Sequence, residues 1–253
     1  MSNYVTYHLH TELSLLDSCT NFKLYVDKAK ELGQTAICFT EHGNCYNWVE
    51  KKMYCEEHNI KYLHGVECYL TEKLFHTNEE TGEQEKVRDN YHTILLAKNL
   101  KGVKEINKLV SLSNKKDHFY YKPRISFEEF LRISSNVIKL SACLASPLNS
   151  KHIQENNKLF LRLAKQYDYL EIQPHNSEEQ KAYNIMLYKL SQAIDKPLVA
   201  TTDTHSLNQY KAECRTMLQE SKGIEFQNED TFDLTYKSYS ELIGMFSSVA
   251  MAL

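Results

Sequence analysis

The segment HLHTELSLLDS, residues 8–18, places histidines and an aspartate at the end of a predicted strand. It overlaps an apolar, β-branched stretch, Tyr4–Leu9, that predicts a strand. His8 and His10 close that predicted strand, and Asp17 follows in a loop that can fold back over the strand end. A lone His-x-His pair is more often a surface or core pair than a metal site. It indicates a metal site only if the ends of other strands also carry residues that can bind metal.

An order of strand and then helix recurs along the chain. Further strands are predicted at Ala36–Thr40, Tyr62–Leu70, Thr93–Ala97, Val137–Ala142, Tyr169–Gln173 and Leu198–Thr201. Helical patterns are predicted from Phe22 to Gly33, and at Asn44–Asn59, Lys101–Ser113, Ile153–Tyr167 and Glu178–Ile194. This alternation predicts an α/β architecture built on parallel strands.

The composition excludes several classes of protein. The 253 residues include 30 Lys and Arg and 33 Asp and Glu, a formal charge of −3, which excludes a generally basic nucleic-acid coat but not a local basic groove. No apolar run approaches a membrane span, and the N-terminus lacks a signal-peptide pattern. We therefore expect a cytoplasmic protein with no membrane contact, whose seven cysteines are free thiols, although one can be a metal ligand.

Imidazoles and carboxylates recur at the ends of the predicted strands. His42 follows the second strand, Glu67 lies late in the third, His175 follows the sixth, and Asp203 and His205 follow the seventh. Active sites of parallel α/β folds lie at the C-terminal ends of the strands. Each residue alone has an ordinary structural explanation. Because buried charges are costly unless they are paired or bound to metal, the set together predicts converging metal ligands.

Eight segments carry a resemblance to a known family. They are HLHTELSLLDS (8–18), AICFTEHGN (36–44), HGVECYL (64–70), NYHTILLAKN (90–99), KPRISFEE (122–129), KLSACLAS (139–146), YLEIQPHN (169–176) and LVATTDTHSLN (198–208). In this order they resemble the PHP (polymerase and histidinol phosphatase) domain, most closely the N-terminal PHP domain of bacterial DNA polymerase III alpha subunits. The resemblance implies an α/β fold of the PHP type, a distorted (β/α)7 TIM-like barrel.

The resemblance also implies three divalent metals held by nine ligands. By motif these are His8, His10, Asp17, His42, Glu67, His92, Cys143, Asp203 and His205. The family's grouping places His8, His10, Glu67 and Asp203 on one metal, bridging Glu67 with His92 and Cys143 on the second, and Asp17, His42 and His205 on the third. A mixed set of N, O and S ligands favours zinc, manganese or iron. His92 departs from the strand-end pattern, because it precedes its predicted strand.

Two regions depart from the repeated pattern. Residues 72–90 are polar and charged and predict a hairpin or loop inserted in a PHP domain spanning residues 1–220. Residues 221–253 form a C-terminal extension that resembles the segment leading into a polymerase palm, with a short helical pattern at Ser240–Met251. The chain ends where a palm would begin, so we expect it not to polymerise DNA alone and to have a polymerase core as a possible partner.

The sequence is compatible with three functions. The favoured one is a metal-dependent phosphoesterase that acts as a proofreading-type 3′–5′ exonuclease on DNA, in which the nine ligands hold the catalytic metals. The second is a small-molecule phosphomonoesterase of the histidinol-phosphatase kind, and the third is a structural PHP module that docks on a separately encoded polymerase. We expect the protein to act in a bacterial or a phage-infected cell. Candidate contacts to a substrate phosphate are Lys98, Lys122, Arg124 and His175.

Overall fold

Strands and helices alternate along the part of the chain that the computed structural model describes, residues 4–224 and 232–248. The helices are α1 (Phe22–Glu31), α2 (Trp48–Glu57), α3 (Leu100–Ser113), α4 (Phe127–Leu131), α5 (Lys151–Glu155), α6 (Asn157–Gln166), α7 (Glu178–Ile194), α8 (Gln209–Glu220) and α9 (Tyr239–Ser248). The strands are β1 (Ala36–Phe39), β2 (Lys61–Thr71), β3 (Phe75–Thr77), β4 (Gln84–Lys86), β5 (Tyr91–Ala97), β6 (Arg124–Ser126), β7 (Val137–Leu140), β8 (Leu170–Ile172) and β9 (Leu198–Ala200). The chain thus has the mixed α/β character that the pattern predicts.

The long strand β2 organises the main sheet. It pairs in parallel with β1 and β6 and antiparallel with β5, which in turn pairs antiparallel with β7. Strands β8 and β9 form a separate parallel pair. From His64 to Thr71 every side chain of β2 is buried, so both faces of this strand are covered, as in sheets enclosed by helices.

Single bridges connect these sheets in the order of a ring. Thr6 pairs with Ile37 of β1, Leu140 of β7 pairs with Tyr169 before β8, and Leu9 pairs with Thr204 after β9. The order is therefore the N-terminal segment, β1, β2, β5, β7, β8, β9 and the N-terminal segment again. Within residues 4–224 and 232–248 no continuous ladder closes this ring, so the barrel order is present without a closed barrel.

The prediction that all strands are parallel is wrong for β5. Parallel neighbours need a long crossover, usually a helix, whereas the segment between β2 and β5 folds as the β3–β4 hairpin and returns the chain antiparallel. Tyr4–Leu9 is not a continuous strand either. Its backbone bends at His8 and changes pairing partner between Thr6 and Leu9.

Two helical predictions also differ from the structure. The single helix expected over Ile153–Tyr167 is divided into α5 and α6, and the side chain of Asn156 caps α6 by accepting a hydrogen bond from the Leu159 N–H. The pattern at Ser240–Met251 corresponds to α9, and Met251 lies outside the described residues. No helix among the described residues is long and apolar enough to cross a membrane.

The described part of the C-terminal extension packs against the ring of strands. Leu234 and Tyr236 are buried, and the Tyr236 hydroxyl donates to Gln34 Oε1 at 2.6 Å. The Leu234 carbonyl accepts the His205 N–H at 2.9 Å. This extension therefore supports the backbone of one of the predicted ligands.

Candidate metal centre

All nine predicted ligands lie at one end of the ring of strands. They are linked side chain to side chain by contacts of 2.6–3.6 Å. The N-terminal segment supplies His8 and His10, and the loop after it supplies Asp17. The remaining ligands lie in β2, at the start of β5 and after β1, β7 and β9, and they are Glu67, His92, His42, Cys143, Asp203 and His205. The structure therefore brings together the whole set that the motifs single out.

The direction of β5 explains why His92 lies at the start of its strand and not after the end of it. Because β5 runs antiparallel to β2, its first residues lie at the end of the ring where the parallel strands finish. His92 pairs with Tyr69 near the end of β2, and its backbone N–H donates to the Ala145 carbonyl at 2.9 Å, two residues beyond Cys143. The irregular position of His92 in the sequence thus follows from the hairpin that precedes β5.

Glu67 lies at the centre of the cluster. Its Oε2 is 2.6 Å from His42 Nδ1 and 3.5 Å from His10 Nε2. Its Oε1 is 3.0 Å from His92 Nδ1 and 3.4 Å from His8 Nε2. Only 1% of its side chain is exposed. A carboxylate with two oxygens that face different imidazoles has the geometry of a ligand shared by two metals.

Two further carboxylates flank Glu67. Asp203 Oδ1 is 2.9 Å from His8 Nε2 and 3.4 Å from His10 Nε2. Asp17 Oδ2 is 2.8 Å from His42 Nε2 and 3.2 Å from His205 Nε2. The His10 ring stacks between those of His42 and His205, with centroids 4.2 Å away on each side. The carboxylates therefore alternate with imidazoles through the cluster.

Within residues 4–224 and 232–248, three groups of side chains each bring three ligand atoms within 4.8 Å of one another. They are His8, His10 and Asp203; His42, Glu67 and His92; and His10, His42 and His205. The first contains three of the four ligands that the family's grouping places on one metal, without Glu67. The second has His42 where that grouping has Cys143, and the third has His10 where it has Asp17. Because Cys143 Sγ lies 3.6 Å from His92 Nδ1, the thiol is adjacent to the second group.

Several ligand atoms are buried without a hydrogen-bond partner among the described residues. They are His8 Nε2, His10 Nε2, His42 Nδ1, Glu67 Oε1 and Asp203 Oδ1. Buried polar atoms without partners are costly and therefore rare. These atoms are a few ångströms from one another but do not have hydrogen-bond geometry, so they converge as the ligands of a cation do. On this test the residues fit a divalent metal centre.

Hydrogen bonds on the far side of two rings fix which nitrogen is free. His8 Nδ1 lies 2.8 Å from Glu171 Oε1, and His205 Nδ1 lies 2.8 Å from the Asp203 carbonyl. Both partners only accept, so each Nδ1 carries a proton and each Nε2 is the nitrogen that a metal would take. Sequence reasoning missed Glu171. Its signal is a carboxylate inside the short, buried strand β8, where no surface role is available.

The pKa values of the ligands reflect their mutual contacts. Burial opposes ionisation of Glu67, but His92 and His42 hold its pKa well below the usual range. Burial likewise opposes ionisation of Asp203, whose pKa is held well below normal by His8 and His205. Burial and the nearby carboxylates raise the pKa of Cys143 well above normal, so its thiolate needs a neutralising cation.

Left-handed backbone occurs at or beside several ligands. Asp203 has φ of 53°, Ala142 before Cys143 has 59°, and Leu16 before Asp17 has 66°. Gly43, which follows His42, has φ of 64°, and a Cβ there would meet Pro123 Cγ at 2.4 Å. Non-glycine residues adopt this conformation at a cost, and such residues cluster at functional sites. The turns that carry Asp17, Cys143 and Asp203 therefore hold left-handed, non-glycine backbone at or directly before the ligand.

Helix α8 fixes the outer oxygen of Asp17. Arg215 Nη2 donates to Asp17 Oδ1 at 2.5 Å, Arg215 Nε donates to the Asp17 carbonyl at 2.7 Å, and Gln219 Nε2 donates to Oδ1 at 3.1 Å. These bonds leave Oδ2 facing His42 and His205. Arg215 and Gln219 therefore orient the carboxylate, and sequence reasoning did not find either of them.

We expect Arg215→Met to lower the free energy of unfolding by about 3 kcal/mol, because it removes one partner of a largely buried ion pair. Urea unfolding in excess chelator measures this without a contribution from metal. Arg132→Met is the matched control, since Arg132 pairs with Glu128 on the surface and its loss is expected to cost less than ~1 kcal/mol. Equal effects of the two substitutions would contradict the prediction.

The cluster opens into a cleft of about 800 Å³. Six of the nine ligands line it, namely Asp17, His42, His92, Cys143, Asp203 and His205. Its walls also carry apolar and aromatic side chains, among them Leu15, Tyr69, Phe119 and Phe232. The remaining ligands, His8, His10 and Glu67, are almost fully buried beneath these six. The cleft therefore reaches the cluster from one side.

Two of the four predicted phosphate contacts lie in the cleft and two do not. Lys122 and His175 line it. Lys98 follows β5 at the opposite end of the ring, because β5 runs antiparallel. The Arg124 side chain is buried and donates to the Val87 carbonyl and, at 3.0 Å, to the Asp89 carbonyl. The structure thus corrects the prediction for Lys98 and Arg124, and Arg124 instead connects β6 to the segment that follows the hairpin.

A PHP domain model matches residues 6–175 of the sequence. The chain belongs to the PHP domain family. It is 34% identical over 225 residues to the DNA polymerase III subunit alpha of Aquifex aeolicus and 29% identical over 267 residues to that of Borreliella burgdorferi. These matches cover 85% and 100% of this chain but only 19% and 23% of the relatives, so the chain spans about a fifth of their length. They correspond to the N-terminal PHP domain of those subunits.

The fold of this PHP chain is similar to that of a solved structure. A candidate metal-dependent phosphoesterase from Bifidobacterium adolescentis aligns with a TM-score of 0.53 at 14% identity, covering 79% of this chain and 87% of that one. Two of the nine ligands, Asp203 and His205, lie beyond the residues matched by the PHP model. Their contacts with His8, His10 and Asp17 nevertheless place them in the same cluster.

Proposed function

We propose that this PHP domain is a metal-dependent phosphoesterase that acts as a 3′–5′ exonuclease on DNA. The observation that carries the proposal is the cluster of unpartnered ligand atoms at the base of an aromatic-lined cleft of about 800 Å³. A cleft of this size accommodates a ligand larger than a simple phosphate. The relationship to replicative polymerase subunits favours DNA as the substrate and the cytoplasm of a bacterial or phage-infected cell as the location.

The proposed chemistry divides between the metals and the cleft walls. When bound, closely spaced zinc, manganese or iron ions lower the pKa of water and stabilise charge on phosphate oxygens. The nine ligands would hold up to three such ions, with Glu67 shared between two. No serine or cysteine nucleophile is then needed, and Cys143 acts as a ligand.

Two cleft residues are proposed to contact the substrate. Lys122 is exposed, and its Nζ lies 5.3 Å from the centre of the Tyr69 ring, which holds the cation at the mouth of the cleft. His175 stacks on Phe232 at 4.3 Å, and neither of its ring nitrogens has a partner among the described residues. Burial lowers the pKa of His175 to about 4, so the ring is uncharged at neutral pH and binds by hydrogen bonds alone.

We expect Lys122→Ala to raise the KM for an oligonucleotide about tenfold, equivalent to about 1.4 kcal/mol, because it removes a charged contact to the phosphate backbone. The kcat is expected to change much less, since Lys122 lies over Tyr69 at the cleft mouth and is not one of the nine predicted ligands. Lys98→Ala is the matched control, because Lys98 is exposed at the opposite end of the ring. A KM that rises equally in both variants would contradict a specific role for Lys122.

The function is tested by incubating the metal-loaded protein with 3′-labelled single-stranded DNA and, separately, with a phosphomonoester. An Asp203→Ala, His205→Ala double variant excludes contaminating nuclease, and elemental analysis gives the metal content. Release of the 3′ end that is lost in the variant supports the exonuclease. Hydrolysis of the monoester alone supports a small-molecule phosphatase. Bound metal without hydrolysis supports a module that docks on a separately encoded polymerase core, and a protein without metal overturns the proposal.

A further inference from the structure

Ser14 is a buried hydroxyl that joins two of the ligand-bearing segments. Its Oγ lies 2.9 Å from His10 Nδ1, accepts the backbone N–H of His42 at 3.2 Å, and donates to Glu41 Oε2 at 2.6 Å. A hydroxyl has one proton, and a carboxylate only accepts. Because the Ser14 proton is committed to Glu41, His10 must be the donor in its bond to Ser14. The hydrogen bonds of Ser14 thus determine which nitrogen of His10 carries the proton.

A buried ion pair holds Glu41, the carboxylate to which Ser14 donates. Lys51 Nζ, on α2, lies 2.6 Å from Glu41 Oε1, and both residues are only 1% exposed. The same carboxylate accepts from the Thr11 hydroxyl at 2.5 Å and from the Thr11 N–H at 3.0 Å. A buried ion pair contributes little net stability compared with apolar packing, so stability alone does not account for it. Its effect here is to keep a carboxylate facing Ser14.

The position of the proton on His10 matters because its Nε2 faces two carboxylates. Its Nε2 lies 3.5 Å from Glu67 Oε2 and 3.4 Å from Asp203 Oδ1. If Nε2 carried the proton, it would hydrogen-bond to one of these carboxylates and compete with a metal. Stacking between His42 and His205 prevents the ring from turning away.

We propose that Lys51, Glu41 and Ser14 form a positioning chain that holds His10 as its Nδ1–H tautomer and so keeps Nε2 available to a metal. This inference rests on the proposed metal centre, although the tautomer itself is a property of the metal-free protein. His8 reaches the same state through direct contact with Glu171. For His10, the carboxylate of Glu41 acts through the hydroxyl of Ser14. The positive charge that pairs with this carboxylate belongs to Lys51 on α2.

The test compares two substitutions that each remove one hydroxyl donor to Glu41. Ser14→Ala breaks the connection to His10, whereas Thr11→Val leaves it intact. Nitrogen-15 NMR of the metal-free protein reports the His10 tautomer, and competition with a chromophoric chelator gives the zinc affinity. We expect Nδ1–H in the wild type and in Thr11→Val. In Ser14→Ala we expect a substantial Nε2–H population and zinc affinity reduced about 10–100-fold.

Glu41→Gln provides a second variant of nearly unchanged volume. A side-chain amide that donates to Ser14 releases the Ser14 proton toward His10 Nδ1, so the Nε2–H tautomer is expected to dominate. An Nε2–H tautomer in the wild type, or equal losses of zinc affinity in Ser14→Ala and Thr11→Val, would overturn the proposal. If the wild type binds no zinc, the proposed function fails, while the NMR comparison still decides whether the chain controls His10.

Discussion

Glu67→Gln is expected to abolish binding of at least two metals and to lower phosphoester hydrolysis by ~10³-fold or more, about 4 kcal/mol of transition-state stabilisation. The four imidazoles that approach Glu67 belong to His8, His10, His42 and His92. A neutral amide offers one acceptor oxygen and places an N–H group against the others. It cannot be shared by two cations as a carboxylate can. Elemental analysis after gel filtration measures the metal content directly.

The same substitution at Glu72 is the control for Glu67→Gln. Glu72 directly follows β2, but its side chain is one-third exposed and pairs at 3.1 Å with His152, which is itself exposed. Glu72→Gln is therefore expected to keep the wild-type metal content and activity. If Glu67→Gln also retained its metals, Glu67 would be a hydrogen-bond partner of buried imidazoles and not a metal ligand. That result would contradict the proposal that Glu67 is shared by two metals.

Residue type and position at strand ends were sufficient to predict most of this cluster. His42, Asp203 and His205 follow strands whose carboxyl ends face one way, so their convergence follows from a parallel arrangement. His92 and Cys143 needed the family resemblance. The direction of β5 depends on whether the preceding segment forms a helix or a hairpin, and the polar stretch 72–90 left both a hairpin and a loop open.

The supporting residues were not predictable by the same reasoning. Charged residues are usually exposed, so the sequence gives no reason to expect Glu41, Lys51 and Arg215 to be buried. The tertiary structure buries all three against the cluster. Arg124 was predicted to have a functional role that the structure does not support. The sequence suggested that it contacts a substrate phosphate, whereas its guanidinium donates hydrogen bonds to the backbone carbonyls of Val87 and Asp89. Long polar side chains reach partners that sequence spacing does not reveal.

Removal of metal is expected to lower the melting temperature by roughly 8–16 °C. A ligand present at a thousand times its Kd stabilises the native state by about 4 kcal/mol, and for a chain of about 250 residues each kcal/mol corresponds to about 2–4 °C. The structure supplies the physical reason. Without a cation, the five unpartnered buried ligand atoms, shared among His8, His10, His42, Glu67 and Asp203, lack compensation for the water lost on folding.

Differential scanning calorimetry with and without excess chelator measures this shift. Glu72→Gln is expected to show the full shift, and Glu67→Gln is expected to melt at the same temperature with and without chelator, because it no longer holds the metals. A chelator effect of equal size in both variants would mean that the stabilising ion binds elsewhere. A wild type that melts at one temperature under both conditions would mean that the imidazole–carboxylate contacts alone satisfy the cluster, and the metal centre would then lose its main energetic support.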